Sequence, residues 1–358
     1  MEEEVFPMTR TRGPILSGRS RKRLPALLLA LFCLLSLFSC GNKGAKALES
    51  SDLERSAVMT VDGFEVPLEL YRYVALNYRA DYEASHSPDV WESAEGPALL
   101  ERLKENTAET VARLYATLSL AKQYGINPDD AYVTDAVDAA MKDVYEDTAD
   151  GDYEAFDAYL RSHNMTDGVY RFIVRNDILA EELMAKMVEN GEIPSDAAAL
   201  EEAVAGPEFV RIKQILVPAD NGKSDAENES RAAELLNRAK NGEDFDELVQ
   251  KYGGDLFMFN NPDGYYLARG TYHEAFENAA FALAVGEISP VVRTDAGWSI
   301  LKRYEKEAGY LAEHFEELAE DYMSGLYNIR LEEHAETLRA EPTELLASYT
   351  IFNLDTTY

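Results

Sequence analysis

One amide marks the most informative stretch of the chain. In "VRIKQILV", residues 210–217, Val210, Ile212 and Leu216 alternate as one face of a β-strand, because successive strand side chains point to opposite faces. Gln214 falls in that apolar row. A buried amide without partners costs stability, so Gln214 needs polar neighbours. Covalent chemistry has no comparable support. The histidines (86, 163, 273, 314, 334) are scattered, and no P-loop, zinc spacing or Ser-His-Asp pattern occurs. The two cysteines, Cys33 and Cys40, lie near the N-terminus. The folded part therefore has no disulfide framework, thiol nucleophile or Cys-based metal site. No metal and no cofactor is expected.

Charge narrows the partners. With 34 Lys+Arg against 66 Asp+Glu, the net charge is −32. Such a surface repels nucleic acid and anionic lipid headgroups, which sets aside DNA and RNA binding. It attracts basic peptide segments, although acidity alone also keeps a protein soluble.

The N-terminus reads as a targeting segment. RSRKR at 19–23 precedes an apolar run at 24–38, whose 15 residues fall short of the roughly 20 that span a bilayer. Leu37-Phe38-Ser39-Cys40-Gly41 follows and resembles the lipobox of bacterial lipoproteins. The resemblance implies cleavage before Cys40 and a diacylglycerol on its thiol. A secretory signal cut elsewhere, or an uncleaved anchor, are the competing readings. A start at Met8 rather than Met1 shortens only the basic region. Residues 1–39 are then the signal, and the polar, aperiodic 40–57 a flexible tether to the membrane.

The positioning elements come next. Residues 58–67 read as a hairpin around Asp62-Gly63. A helix follows from Leu68. Leu99, Leu103, Val111, Leu114, Leu118 and Ala121 recur at helical spacing and predict one helix over Leu99–Tyr124, with Gly125 as its C-cap. Further helices are predicted at 129–146, 152–162 and 166–189, and NGEIPSD (190–196) ends the block. From 208 to 305 the pattern changes to β-α-α-β-α-β-β. It has strands at 209–217, 264–269, 289–294 and 298–304, and capping boxes at Ser224–Glu227, Asp244–Glu247 and Thr271–Glu274. Residues 310–340 are again helical and are expected to pack back on the first helices. Tyr349–Phe352 is expected to add a strand beside the hairpin.

The segment 210–304 resembles a parvulin-type peptidyl-prolyl isomerase domain. Gly242-Glu243-Asp244-Phe245, Phe276-Glu277-Asn278-Ala279-Ala280-Phe281, Gly286-Glu287-Ile288-Ser289 and Thr294-x-x-Gly297 carry the likeness by their order and spacing. The flanking layout is similar to the SurA/PrsA group of extracytoplasmic foldases. The fold class implied is α+β: a parvulin domain with a four-stranded antiparallel sheet, at 208–305, inserted in a mainly α-helical chaperone module. That module would comprise 58–207 and the C-terminal helix and tail, 306–358.

The resemblance also explains the amide. Parvulins usually carry His on the first strand and a second His on the last. Here Gln214 and Ser299 stand at those positions, and both keep a hydrogen-bonding group without a titrating imidazole. By the same resemblance Asp255 lies beside the substrate carbonyl, which with Gln214 and Ser299 makes the catalytic set. Leu267, Tyr272 and Phe276 line the proline pocket. The residues themselves leave other roles open: Phe276 and Leu267 as core, Asp255 as a cap after Tyr252-Gly253-Gly254, and Tyr272 as a surface aromatic.

Three functions compete. A membrane-anchored foldase would bind unfolded, proline-containing secreted polypeptides and isomerise X–Pro bonds, on the extracytoplasmic face of the membrane. A holdase would use the same fold only to bind peptide. A solute-binding lipoprotein would need two lobes of repeated βα units, which the pattern lacks. Homodimerisation through the helical block stays open.

Overall fold

The computed structural model describes residues 56–85, 88–219, 221–352 and 354. The signal, the lipobox with Cys40 and almost all of the tether lie outside them. In chain order the elements are β1 (Ala57–Val61), β2 (Phe64–Pro67), α1 (Leu68–Ser85), a 3-10 turn (Pro88–Glu92), α2 (Gly96–Leu114), α3 (Ala116–Gln123), α4 (Ala131–Ala149), α5 (Tyr153–Ser162), α6 (Asp167–Glu189) and α7 (Ala197–Ala205). Then come β3 (Phe209–Pro218), α8 (Asp225–Lys240), α9 (Phe245–Tyr252), α10 (Leu256–Asn260), β4 (Tyr265–Ala268), α11 (Glu274–Ala282), β5 (Ile288–Thr294) and β6 (Gly297–Tyr304). The chain ends with α12 (Ala308–Glu313), α13 (Phe315–Ala335), β7 (Ala340–Pro342) and a 3-10 turn (Glu344–Ser348).

Two compact units emerge. Among the described residues, one comprises 187–329 and the other joins those from 56 to 186 with those from 330 onward. The helical unit opens with the predicted hairpin. Asp62 and Gly63 both take positive φ (48° and 78°), as the two central residues of a type I′ turn must. β7 pairs antiparallel with β1, Met59 opposite Pro342. The C-terminal strand is thus 340–342 rather than Tyr349–Phe352. The helix expected over Leu99–Tyr124 is broken at Tyr115. The Tyr115 ring is buried between Phe64 and Phe172, with centroids 5.8 and 5.0 Å away, and its hydroxyl donates to Glu65 O at 3.0 Å. These contacts hold the residue where periodicity alone would let the helix run on.

A polar bridge closes this unit. Buried Ser119, on α3, donates to Asp62 Oδ2 at 2.6 Å and sits 2.7 Å from Nε2 of His334 at the end of α13. Burial holds the imidazole below its ordinary pKa, with Asp62 opposing and Arg330 assisting. The unfolded chain therefore binds the proton more tightly, so stability from this group is present above about pH 6.5 and lost as pH falls through that range. Asp177 on α6 has the opposite sign: burial and then Glu181 raise its carboxyl to about 7. The informative quantity is hence a difference. His334→Gln should lose less melting temperature between pH 7 and pH 5 than wild type, a comparison that thermal scans by circular dichroism supply. Parallel losses would show that the bridge does not titrate.

In the second unit β4-β3-β6-β5 form a four-stranded antiparallel sheet. Ser224 and Glu227 cap each other reciprocally, and Asp244 accepts from Glu247 N, so two of the three boxes start helices. The third does not: His273, not Thr271, caps α11 through Nδ1, while Thr271 Oγ1 donates to Ala268 O. Two short helices, α7 and α10, lie in stretches the sequence pattern left without elements. The predicted 310–340 helix divides at His314. Gly297 (φ 140°) has no room for a side chain, since a Cβ there would lie 2.2 Å from Val217 O. One core holds Ile212, Ile215, Leu267, Phe276, Trp298 and Ile300 among others. A smaller one gathers Val204, Phe209, Tyr266 and Leu318, with Tyr310 stacked on Tyr266 at 4.1 Å.

Candidate functional site

The register of β3 builds the site. Ile212 lies opposite Tyr265 on β4, and Leu216 opposite Ser299 on β6. Alternation puts Gln214, Tyr265, Leu267 and Ser299 on one face. Gln214 and Ser299 have no exposed surface, Tyr265 only 3 % and Asp255 only 4 %.

These four side chains form a closed hydrogen-bond network. Ser299 Oγ donates to Gln214 Oε1 at 2.9 Å. Gln214 Nε2 donates to Asp255 Oδ2 at 2.6 Å, and the Tyr265 hydroxyl donates to the same oxygen at 2.6 Å. Asp255 Oδ1 accepts from Phe257 N at 2.9 Å, which makes Asp255 the N-cap of α10. Asp255 is therefore a cap and the hub of the network at once. Burial, then the neighbouring Asp255 carboxylate, pushes the Tyr265 phenol up. It stays protonated at neutral pH and acts as a donor. The network contains no imidazole.

Aromatic rings cover it. Phe257 stacks on Tyr265 at 4.3 Å, and Tyr272 and Phe276 meet the Tyr265 ring edge-on at 5.7 and 6.2 Å. Phe276 and Leu267 are wholly buried, whereas Tyr272 and Phe257 are partly exposed. Phe276 has no exposed surface and packs against Tyr265 and Tyr272. Next to them, Leu256 and Phe259 of α10 are 46 % and 45 % exposed.

The backbone that presents Tyr272 is held from beneath. Buried Glu277 accepts from the N–H groups of Gly270, Thr271 and Tyr272 at 2.9, 2.8 and 2.7 Å. Gly270 returns its carbonyl to Asn328 Nδ2 at 2.8 Å.

The structure thus brings Gln214, Ser299, Asp255, Leu267, Tyr272 and Phe276 into one neighbourhood. Sequence reasoning missed Tyr265, Phe257 and Glu277. Tyr265 carried a usable signal, standing two residues before Leu267 and so on the same strand face. Phe257 and Glu277 carried none that was local. Among the described residues, no group of three or more His, Cys, Asp and Glu could hold a metal, and no helix is long and apolar enough to cross a membrane.

This sheet and network lie in a segment that matches a known domain. Residues 212–305 match the PPIC-type PPIase domain, and residues 19–184 match the SurA-like N-terminal domain. The chain thus carries matches to both modules, and the relatives it resembles bear the names foldase protein PrsA and chaperone SurA. It is 25 % identical over 296 residues to the foldase protein PrsA of Caldanaerobacter subterraneus subsp. tengcongensis, covering 79 % of this chain and 82 % of that one. It is 30 % identical over 208 residues to the chaperone SurA of Albidiferax ferrireducens. That match covers 55 % of this chain and 44 % of the relative, so the chain spans under half of that protein. The crystal structure of foldase protein PrsA from Streptococcus pneumoniae aligns at 19 % identity and a TM-score of 0.33, over 70 % of this chain and 88 % of that one.

Proposed function

We propose that this protein is a lipid-anchored extracytoplasmic folding factor whose parvulin domain binds X–Pro segments of client chains and isomerises them without an imidazole. The observation that carries this reading is the Ser299–Gln214–Asp255–Tyr265 network. Isomerisation needs no bond to an enzyme group. It needs tighter binding of the twisted amide than of either planar form, across a barrier of ~20 kcal/mol. The apolar rings supply a surface for the proline, and the network fixes Asp255 and Tyr265 beneath it. The modules shared with foldases and chaperones support client binding, and the basic, apolar and Cys40 sequence at 19–40 supports the anchor.

A protease-free isomerisation assay on proline peptides, with several residues before the proline, tests the chemistry. The rate should exceed the uncatalysed one and stay level from pH 5.5 to 8, because the network contains no imidazole. Gln214→His with Ser299→His should introduce a pH dependence that the parent lacks. No acceleration by the parent, joined to suppression of client aggregation, would establish the holdase reading instead. Labelled palmitate incorporated into membranes by wild type but not by Cys40→Ala would support the anchor; equal labelling would overturn it.

A further inference from the structure

A second recessed site lies within the parvulin unit, at the opposite end of β3 from its Pro218 terminus. A cleft of about 310 Å³ is walled by Ala205, Phe209 and Val210, by Val285 after α11, by Arg303 and Lys306 at the end of β6, and by Leu311 of α12. That is near the lower limit for small-ligand pockets.

The charges in this cleft are unusual for so acidic a chain. Arg303 Nη1 donates to Leu283 O at 2.6 Å, and Lys306 Nζ donates to Val204 O at 3.0 Å and to Gly206 O. Among the described residues, the side chains of both cations meet only backbone carbonyls, and neither has a carboxylate within 4 Å. Arg211, also on the wall, is by contrast neutralised by Glu307 and Asp263. Arg303 and Lys306 are close enough that Arg303, after burial, lowers the Lys306 pKa. Two like charges held together against apolar walls are stabilised by an anion that reaches both.

We propose that this cleft binds a peptide carboxylate next to an apolar side chain, the carboxylate bridging Arg303 and Lys306 and the side chain resting on Val285 and Leu311. Exposed Glu305 also lines the cleft. It disfavours a dianion such as phosphate more than it disfavours a carboxylate. The site would hold an acidic or C-terminal segment of an unfolded chain while the Gln214–Asp255 region engages a proline elsewhere on it. It does not depend on isomerase activity.

The test uses fluorescence anisotropy with the whole chain and three labelled peptides. One ends in Phe-Leu with a free carboxylate, one is its amide, and one is amidated with an internal Glu beside Leu. Saturable binding of a carboxylate peptide is expected, with the plain amide about tenfold weaker. The two acidic peptides distinguish a chain terminus from a side chain as the source. Arg303→Gln should weaken binding about tenfold. So should Val285→Glu, which places a charge at a site 54 % exposed and removes no side-chain hydrogen bond. Because neither change touches the network around Asp255, the isomerisation rate on a neutral peptide should hold. Equal binding of acid and amide, binding undisturbed by Val285→Glu, or no binding at millimolar peptide would each overturn the proposal.

Discussion

Asp255→Ala should destabilise the parvulin unit by about 3 kcal/mol or more and abolish the proposed isomerase activity. The carboxylate is 4 % exposed and accepts from Gln214, Tyr265 and the Phe257 N–H. Removing it strands all three donors below the surface, at about 1–3 kcal/mol for each left without a partner. A domain holds only about 5–15 kcal/mol in total. Asp255→Asn keeps the shape but turns its NH₂ group either to the Phe257 N–H or to both Gln214 and Tyr265, so it should cost less than alanine and still about 1 kcal/mol or more. Trp298 lies in the parvulin unit and Trp91, the other tryptophan, in the helical unit. Urea unfolding followed by fluorescence in a Trp91→Phe background therefore reports the unit in question. A shift below 1 kcal/mol for Asp255→Ala would mean that water reaches these donors and the network is not closed.

Glu277→Ala should be comparably severe, by about 3 kcal/mol, for a different reason. Its two oxygens terminate three consecutive N–H groups, at Gly270, Thr271 and Tyr272. The backbone there has no ladder partner to substitute. The loop should loosen and Tyr272 lose its place over Tyr265. Glu277→Gln is the sharper variant: the side chain still fits, but an amide can face at most part of a row of donors. Hydrogen exchange reads the effect directly. The amides of 270–272 should exchange much faster in both variants, with the β3–β6 ladder still protected in Glu277→Gln. Unchanged exchange at 270–272 would remove Glu277 as the anchor of the loop.

Local pattern carried much of the architecture. The Asp62-Gly63 turn, the reciprocal Ser224–Glu227 cap and the strand beginning at Phe209 are each written in a few neighbouring residues, and each forms as the pattern demands. Where the pattern misled, tertiary contacts overrode it. Tyr115 breaks a periodic helix because its ring and hydroxyl find partners on β2 and α6. Thr271 looks like a cap but is drawn to Ala268, which leaves His273 to start α11.

The sequence by itself determined that an amide sits in an apolar strand row, and that no imidazole stands on either of the two strands where the resemblance led us to look. Only the tertiary structure decided who satisfies that amide. Gln214 meets Asp255 and Ser299 across 41 and 85 residues of chain. Tyr265, absent from the sequence-based site, joined it by donating to Asp255. The reason is physical. Periodicity and capping are set within one or two turns of backbone, whereas antiparallel register and ring packing are settled when distant strands align, and only then does a buried polar group acquire its partners.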